Sequence, residues 1–238
     1  MHRALIVVAK RPAAGQTKTR LCPPLDGAAA AALYGCFLHD VLDVARRVPG
    51  VRRTLAYLPA DTGGYFARLA PDMERVPQRG VGLGERLDHL LADALAVGAH
   101  QAVVMSSDSP TLPAAYVAAA FEHLDGPCDV VLGPCDDGGY YLIGLKAPRP
   151  RLLREVPMST PTVLRDTLAL AGELGLRAAL LPPWYDVDTP ADLVRLRDEL
   201  ACAPQSAPRT RALLHACRPS LHNTEERFSA RDPEASPL

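Results

Sequence analysis

Short apolar runs of strand length recur along this chain, and the segments between them carry apolar residues at helical spacing. That alternation constrains the fold more than any other feature, because strands separated by helices pair in parallel and need helices over both faces of their sheet. The strand candidates are Ala4 to Ala9, Arg53 to Leu58, Ala102 to Met105, Asp129 to Leu132, Tyr140 to Gly144 and Arg177 to Leu181. Between them, Leu83, Leu87, Leu90, Leu91 and Ala94 share one helical face, as do Val117, Ala120, Phe121 and Leu124, and a helix is expected from about Asp26. Another opens at Thr189-Pro190-Ala191-Asp192, with a capping hydroxyl, a first-turn proline, an acidic residue at the capping-box position and a stripe of Leu193, Leu196 and Leu200 behind it. Only about six residues separate the strands around Val130 and Tyr141, too few for a crossover helix. That pair is a hairpin or a jump across the sheet. The expectation is an α/β chain, a three-layer α/β/α sandwich on a mixed, mainly parallel sheet.

A length of 238 residues with 48% hydrophobic content suits one domain with a sizeable core, or one domain and a tail. From about Ala203 the composition turns to Pro, Ser, Arg and Ala, so residues 1–202 read as the domain and 203–238 as a mostly disordered tail with a short helix near Arg211 to Ala216. The net charge of -1 gives no global electrostatic case for nucleic acid or a membrane surface as partner. The apolar runs read as strand-sized and interrupted, and the N-terminus enters a strand without a signal-peptide pattern, which predicts a cytoplasmic protein with no membrane partner. Six scattered cysteines without a C-x-x-C pair predict reduced thiols, and seven histidines show no ligand-like spacing.

Cationic chemistry is local. The first strand runs into Lys10-Arg11-Pro12-Ala13-Ala14-Gly15-Gln16-Thr17-Lys18-Thr19-Arg20-Leu21, where two of the three lysines stand with two arginines and no acidic residue precedes Asp26. Polyphosphate wants ammonium and guanidinium donors plus backbone N–H groups that a glycine lets come close. Lys10, Lys18 and Arg20 supply the charge, Gly15 the approach, and Thr17 and Thr19 the hydroxyls; the helix from Asp26 could turn its positive end toward the loop. The spacing is neither a Walker A nor a dinucleotide fingerprint. A solvated basic loop is the alternative reading.

Carboxylates stand at three other strand ends. Ser106-Ser107-Asp108-Ser109-Pro110 follows the Ala102 strand, where open sheets bind ligands, so Asp108 is a candidate ligand for a divalent metal beside phosphate oxygens; the alternative is a cap on the next helix. Asp186 and Asp188, two apart in Trp184-Tyr185-Asp186-Val187-Asp188, project to the same side of an extended segment, and one of them could complete the metal site. Asp136-Asp137-Gly138-Gly139-Tyr140-Tyr141 is either an ordinary turn or a close-approach loop, with Asp137 accepting substrate hydroxyls and a tyrosine packing on a substrate. Gly80-Val81-Gly82-Leu83-Gly84 opens a helix, and its backbone could read a nucleobase edge.

Four segments, KRPAAGQTKTRL, SSDSPTLP, PCDDGGYYLIGL and WYDVDTPADL, together resemble the bacterial radical-SAM/selenodomain-associated transferases, which have the glycosyltransferase-A (nucleotide-diphospho-sugar transferase) fold. The resemblance covers about residues 3 to 200. More distantly the chain is similar to the guanylyltransferases of molybdenum-cofactor and deazaflavin-cofactor synthesis. The resemblance implies that Gly15, Lys18 and Arg20 hold nucleotide phosphates, that Asp108 binds Mg²⁺ (or Mn²⁺) with support from Asp186 or Asp188, that Gly82 to Gly84 approach the base, and that Asp137 to Tyr141, with Gly138, Gly139 and Tyr140, meet the second substrate. The expected function is nucleotidyl transfer from an NTP to a small phosphorylated or phosphonate acceptor, with Lys18, Arg20 and Asp108 as catalytic residues and pyrophosphate released. Glycosyl transfer from an NDP-sugar is the alternative, and a catalytically silent nucleotide-binding protein the third. The base, the acceptor and the oligomeric state are not encoded in any recognisable motif.

Overall fold

The computed structural model of the chain describes residues 2–216. The strands are β1 (His2–Lys10), β2 (Val51–Leu58), β3 (Glu74–Pro77), β4 (Ala99–Met105), β5 (Val130–Pro134), β6 (Tyr140–Leu145) and β7 (Ala178–Leu180), in one sheet of order β3-β2-β1-β4-β6-β5-β7. The helices are α1 (Gly27–Arg47), α2 (Gly63–Leu69), α3 (Leu83–Ala96), α4 (Ala114–Asp125), α5 (Pro150–Arg154), α6 (Val163–Glu173), α7 (Pro190–Cys202) and α8 (Pro208–Ala216).

The central strand β1 pairs in parallel with β2 and β4, and Ala4, Leu5, Ile6 and Val7 are all buried, because helices cover both faces. Alternate residues divide between the layers. Leu5 and Val7 join a core with α1, α2, α4, α7 and α8, whereas Ala4 and Ile6 face α3, α5 and α6. β6 runs antiparallel to both β4 and β5, so the short interval after β5 is a hairpin and the sheet is mixed. The fold is thus the three-layer α/β arrangement expected from the alternation.

The sequence reading omitted β3, which pairs with β2 at the edge of the sheet and holds only Val76 as a part-buried apolar residue. A short edge strand rich in charge carries no alternation to detect, and its proline is tolerated there. α1 differs from expectation in another way: by length and composition it is long and apolar enough to cross a membrane. Its buried stripe, which includes Leu33, Phe37, Leu38, Val41 and Leu42, packs against the sheet and accounts for that composition.

The segment anticipated as a tail from residue 203 is structured through Ala216, and residues 217–238 lie outside the described residues. α8 rests on α1. Asp40 of α1, 1% exposed, accepts hydrogen bonds from the backbone N–H groups of Arg209 (3.2 Å) and Thr210 (2.8 Å) and so caps the first turn of α8 across the interface.

Because the parallel strands β1 to β5 and β7 all finish at one end of the sheet, where β6 begins, the connections after β1, β3, β4, β5 and β7 converge there. Every sequence-predicted site residue belongs to one of those connections or to the strand and helix ends beside them.

Candidate active site

The connection after β1 closes on itself. Thr17, buried, takes a hydrogen bond from the Ala13 N–H (3.2 Å) and gives one to the Ala13 carbonyl (3.1 Å), and the Lys10 ammonium donates to the Gln16 carbonyl (3.1 Å). Gly15 has φ +70°, and a Cβ on Gly27 at the start of α1 would stand 2.9 Å from the Gly15 nitrogen, so loop and helix start press together. Asp26 caps α1 by accepting from the Ala29 N–H (2.7 Å) and spends part of the positive helix end internally. Lys18 then takes a left-handed conformation (φ 52°), and the fully buried Leu21 anchors the single 3-10 turn Thr19–Leu21 behind it.

That conformation turns Lys18 inward. Its ammonium, on a side chain only 5% exposed, contacts a carboxylate oxygen of Asp108 and lies 2.7 Å from Asp188 Oδ1. Beneath it the rings of Tyr34 and Phe37 each have their centroids 5.7 Å away. Burial works against the ammonium, yet the Asp108 and Asp188 carboxylates outweigh it and hold the pKa above the usual lysine range. Arg20, largely exposed, pairs with the other oxygen of Asp188. Burial likewise opposes the charge on Asp188, but Lys18 and Arg20 together keep its pKa low. The Asp108 carbonyl accepts from the Val187 N–H (2.9 Å), which splices the β4 connection to the strand-like run before α7. In that run Thr189 and Asp192 form the capping box read from the sequence.

Asp186 accepts hydrogen bonds from the hydroxyls of Ser109 and Ser106 instead of pairing with Lys18 or Arg20. Burial first, and then the negative field of Asp108, push its pKa up to about 7. Lys18 and Arg20 thus pair with Asp108 and Asp188, and Asp186, close by without such a pair, carries the imbalance as a raised pKa. Hard carboxylate oxygens such as these suit Mg²⁺ or Mn²⁺, for which one or two carboxylates plus substrate phosphates suffice. As placed, no three acidic, histidine or cysteine side chains among the described residues converge on one metal position. Asp108 and Asp188 converge instead on the Lys18 ammonium.

A pocket of about 240 Å³ opens here, lined by Lys10, Gln16, Thr17, Lys18, Thr19, Arg20, Tyr34, Asp108 and Asp188. Tyr34 is the member that sequence reasoning missed. Its hydroxyl accepts from the Lys10 N–H (3.1 Å) and shares a hydrogen bond with Ser107 Oγ (2.8 Å), tying the β1 and β4 connections together; burial and Asp108 raise its pKa. A tyrosine inside the apolar stripe of α1 was the available signal, since a buried phenol needs a polar partner.

The glycine-rich run lies beside a separate cavity of about 490 Å³, lined by Gly82, Leu83, Gly84 and Glu85 with Leu153, Arg154, Val156, Met158 and Ser159. Gly84 has a packing reason as well: a Cβ there would fall 1.9 Å from the Leu153 carbonyl oxygen. The Gln78 amide donates to the Ala9 (3.3 Å) and Ala56 (2.9 Å) carbonyls, which holds this run over the ends of β1 and β2.

In the β5–β6 hairpin, Asp137 is exposed and accepts from the Gly139 N–H (2.8 Å), and Asp136 pairs with Arg195. Gly138 (φ +85°) has room for no Cβ, because the Pro161 oxygen would be 1.9 Å away. The tyrosines turn inward rather than toward the open face. Tyr141 is 1% exposed and donates to the Pro182 carbonyl (3.0 Å), and Tyr140 reaches Met158 Sδ (3.4 Å), so both brace the hairpin and the cavity wall.

Residues 41–160 match a protein family described as "Uncharacterized protein conserved in bacteria (DUF2064)". No curated protein matches the chain. Among solved structures it is similar to a "putative nucleotide-diphospho-sugar transferase" from Desulfovibrio desulfuricans G20, with TM-score 0.86 and 31% identity over 94% of this chain and 98% of that one. Two more distant structures share the fold. A CMP:2-keto-3-deoxy-manno-octonic acid synthetase complexed with CTP has TM-score 0.56 and 14% identity over 85% of this chain and 100% of the other. A 4-diphosphocytidyl-2C-methyl-D-erythritol synthase has TM-score 0.57 and 17% identity over 84% and 99%.

Proposed function

For a chain that belongs to the DUF2064 family of bacterial proteins and has the nucleotide-diphospho-sugar transferase fold, we propose a metal-dependent nucleotidyltransferase that moves a nucleoside monophosphate from an NTP to a small phosphorylated or phosphonate acceptor. The observation that carries this reading is the Lys18 ammonium, buried at the mouth of the basic loop and shared by Asp108 and Asp188. Such a constellation can gather a phosphate chain and a hard cation in one place.

Asp108 and Asp188 are the residues that would hold the cation, which when bound offsets charge on the phosphate oxygens. Lys18 and Arg20 face the β- and γ-phosphates and stabilise the pyrophosphate as its bond to the α-phosphorus breaks, while the N–H group and hydroxyl of the exposed Thr19 orient the chain and Thr17 holds the loop closed on Ala13. The attacking phosphate or phosphonate oxygen is already ionised, so no protein base is required. Gly82 to Gly84 and their cavity would take the nucleobase, and the exposed Asp137 at the hairpin the acceptor.

One observation favours the second reading, glycosyl transfer from an NDP-sugar. Asp186, held near 7, lies in the range of a general base, which a hydroxyl acceptor needs and a phosphate oxygen does not. Incubation with each of four NTPs, Mg²⁺ and a panel of phosphorylated acceptors is expected to release pyrophosphate. Release of a nucleoside diphosphate from NDP-sugars, with no pyrophosphate from any NTP, would decide for glycosyl transfer.

A further inference from the structure

We propose that Lys18 is a latch on the Asp108–Asp188 carboxylate pair, so that a divalent cation enters this site only together with a phosphate chain and not alone. The inference rests on reading the site as a metal–nucleotide site and adds the order in which it fills.

The argument starts from charge and room. Asp108 and Asp188 carry two negative charges, and Lys18 and Arg20 return two positive ones, so a free metal ion meets a pair already neutralised. The ammonium occupies the space between the two carboxylates, within 2.7 Å of Asp188 Oδ1, where a shared cation would sit. For the metal to enter alone, Lys18 must leave both partners and remain charged on a side chain that is 5% exposed over the rings of Tyr34 and Phe37. Uncompensated burial of a cation is strongly unfavourable. A triphosphate chain in the adjacent pocket removes the obstacle, because its oxygens accept the ammonium as the metal takes over the carboxylates. The two ligands then favour each other's binding, and that coupling is reciprocal.

Arg20 provides the contrast. It brings the same charge to Asp188 from a side chain that is 67% exposed, so it can swing into water at little cost. Charge alone would make the two residues equivalent, whereas a latch makes Lys18 dominant.

The test titrates Mn²⁺, with and without inorganic tripolyphosphate, into wild type, Lys18→Met, Arg20→Met and Asp108→Asn, and follows the electron paramagnetic resonance of free Mn²⁺. Wild type is expected to bind Mn²⁺ at least about tenfold more tightly with tripolyphosphate than without it, a size typical of coupled sites. Lys18→Met should bind Mn²⁺ alone at least about tenfold more tightly than wild type and gain little from tripolyphosphate. Arg20→Met should change much less, and Asp108→Asn should lose uptake in both conditions. Equal gains for Lys18→Met and Arg20→Met, or no gain for Lys18→Met while uptake still depends on Asp108, would overturn the latch and leave the metal–nucleotide reading standing. No Asp108-dependent uptake in any protein, with or without tripolyphosphate, would overturn both. Wild type serves as a second test should Lys18→Met fail to fold. The chain has three lysines, Lys10, Lys18 and Lys146. In a ¹⁵N-lysine sample the ammonium signal of Lys18 should stay in place with Mg²⁺ alone and shift with Mg²⁺ plus tripolyphosphate; a shift with Mg²⁺ alone would equally overturn the latch.

Discussion

At Asp186 a single carboxylate absorbs the surplus negative charge of the site, and this makes a pH signature. An unfolded aspartate titrates near its ordinary value of about 4, but the folded one holds its proton to about 7. Between those values the native state binds one proton more than the unfolded state. Stability contributed by this group is therefore fully present below the ordinary pKa and is lost as pH rises toward 7. In the ligand-free protein Asp186→Asn should flatten the melting temperature between pH 5 and pH 7, by about those limits, relative to wild type. A melting temperature that changes by the same amount in wild type and Asp186→Asn across this window would show that Asp186 is ionised throughout. Lys18 and Arg20 differ at the same scale. Lys18→Ala is expected to lower turnover by about a hundredfold or more, as loss of a buried charge aimed at a transition state does, and Arg20→Ala by about tenfold with a stronger dependence on salt. Pyrophosphate release at low and high ionic strength measures both.

Among the elements, how far each was legible follows from how it is buried. β1 reads plainly because both its faces are covered and its apolar run is unbroken, and α7 reads plainly because its capping box is local chemistry between Thr189 and Asp192. β3 does not, since its position at the edge of the sheet asks for no apolar pattern. α8 reads as a short helix within a tail because its own sequence is largely polar; its docking comes from α1, through a buried Asp40 that caps it from 169 and 170 residues away. Asp40→Ala leaves two helix-end N–H groups without that acceptor and should lower stability by about 1–3 kcal/mol. The same change should also speed proteolysis in the 203–207 connection, because α8 then docks less firmly. Denaturant unfolding and limited digestion check the two effects. A variant that lost stability without a change in cleavage would place the effect in α1 rather than at the α1–α8 contact.

For the whole molecule, the sheet brings five connections from along the chain to one end, so ligand binding there should stabilise the native state by mass action. Mg²⁺ with the matching NTP at about a hundred times its Kd should add about 2.7 kcal/mol and raise the melting temperature by several degrees, and an NDP-sugar should add less. Larger shifts with NDP-sugars than with any NTP would favour the glycosyl-transfer reading. The sequence by itself determined the alternation of strands and helices, the interval after Val130 too short for a crossover helix, the basic first loop and the carboxylates at strand ends, because periodicity, turn length and local charge are properties of neighbouring residues. Only the tertiary structure decided the partners. Lys18 and Asp188 are 170 residues apart, and nothing in either segment says that they share a proton-bearing contact of 2.7 Å. Tyr34 likewise became part of the site only once α1 lay against β1 and β4. Which charges neutralise which depends on the parallel register of the sheet, and that register is set by core packing, not by the loops it brings together.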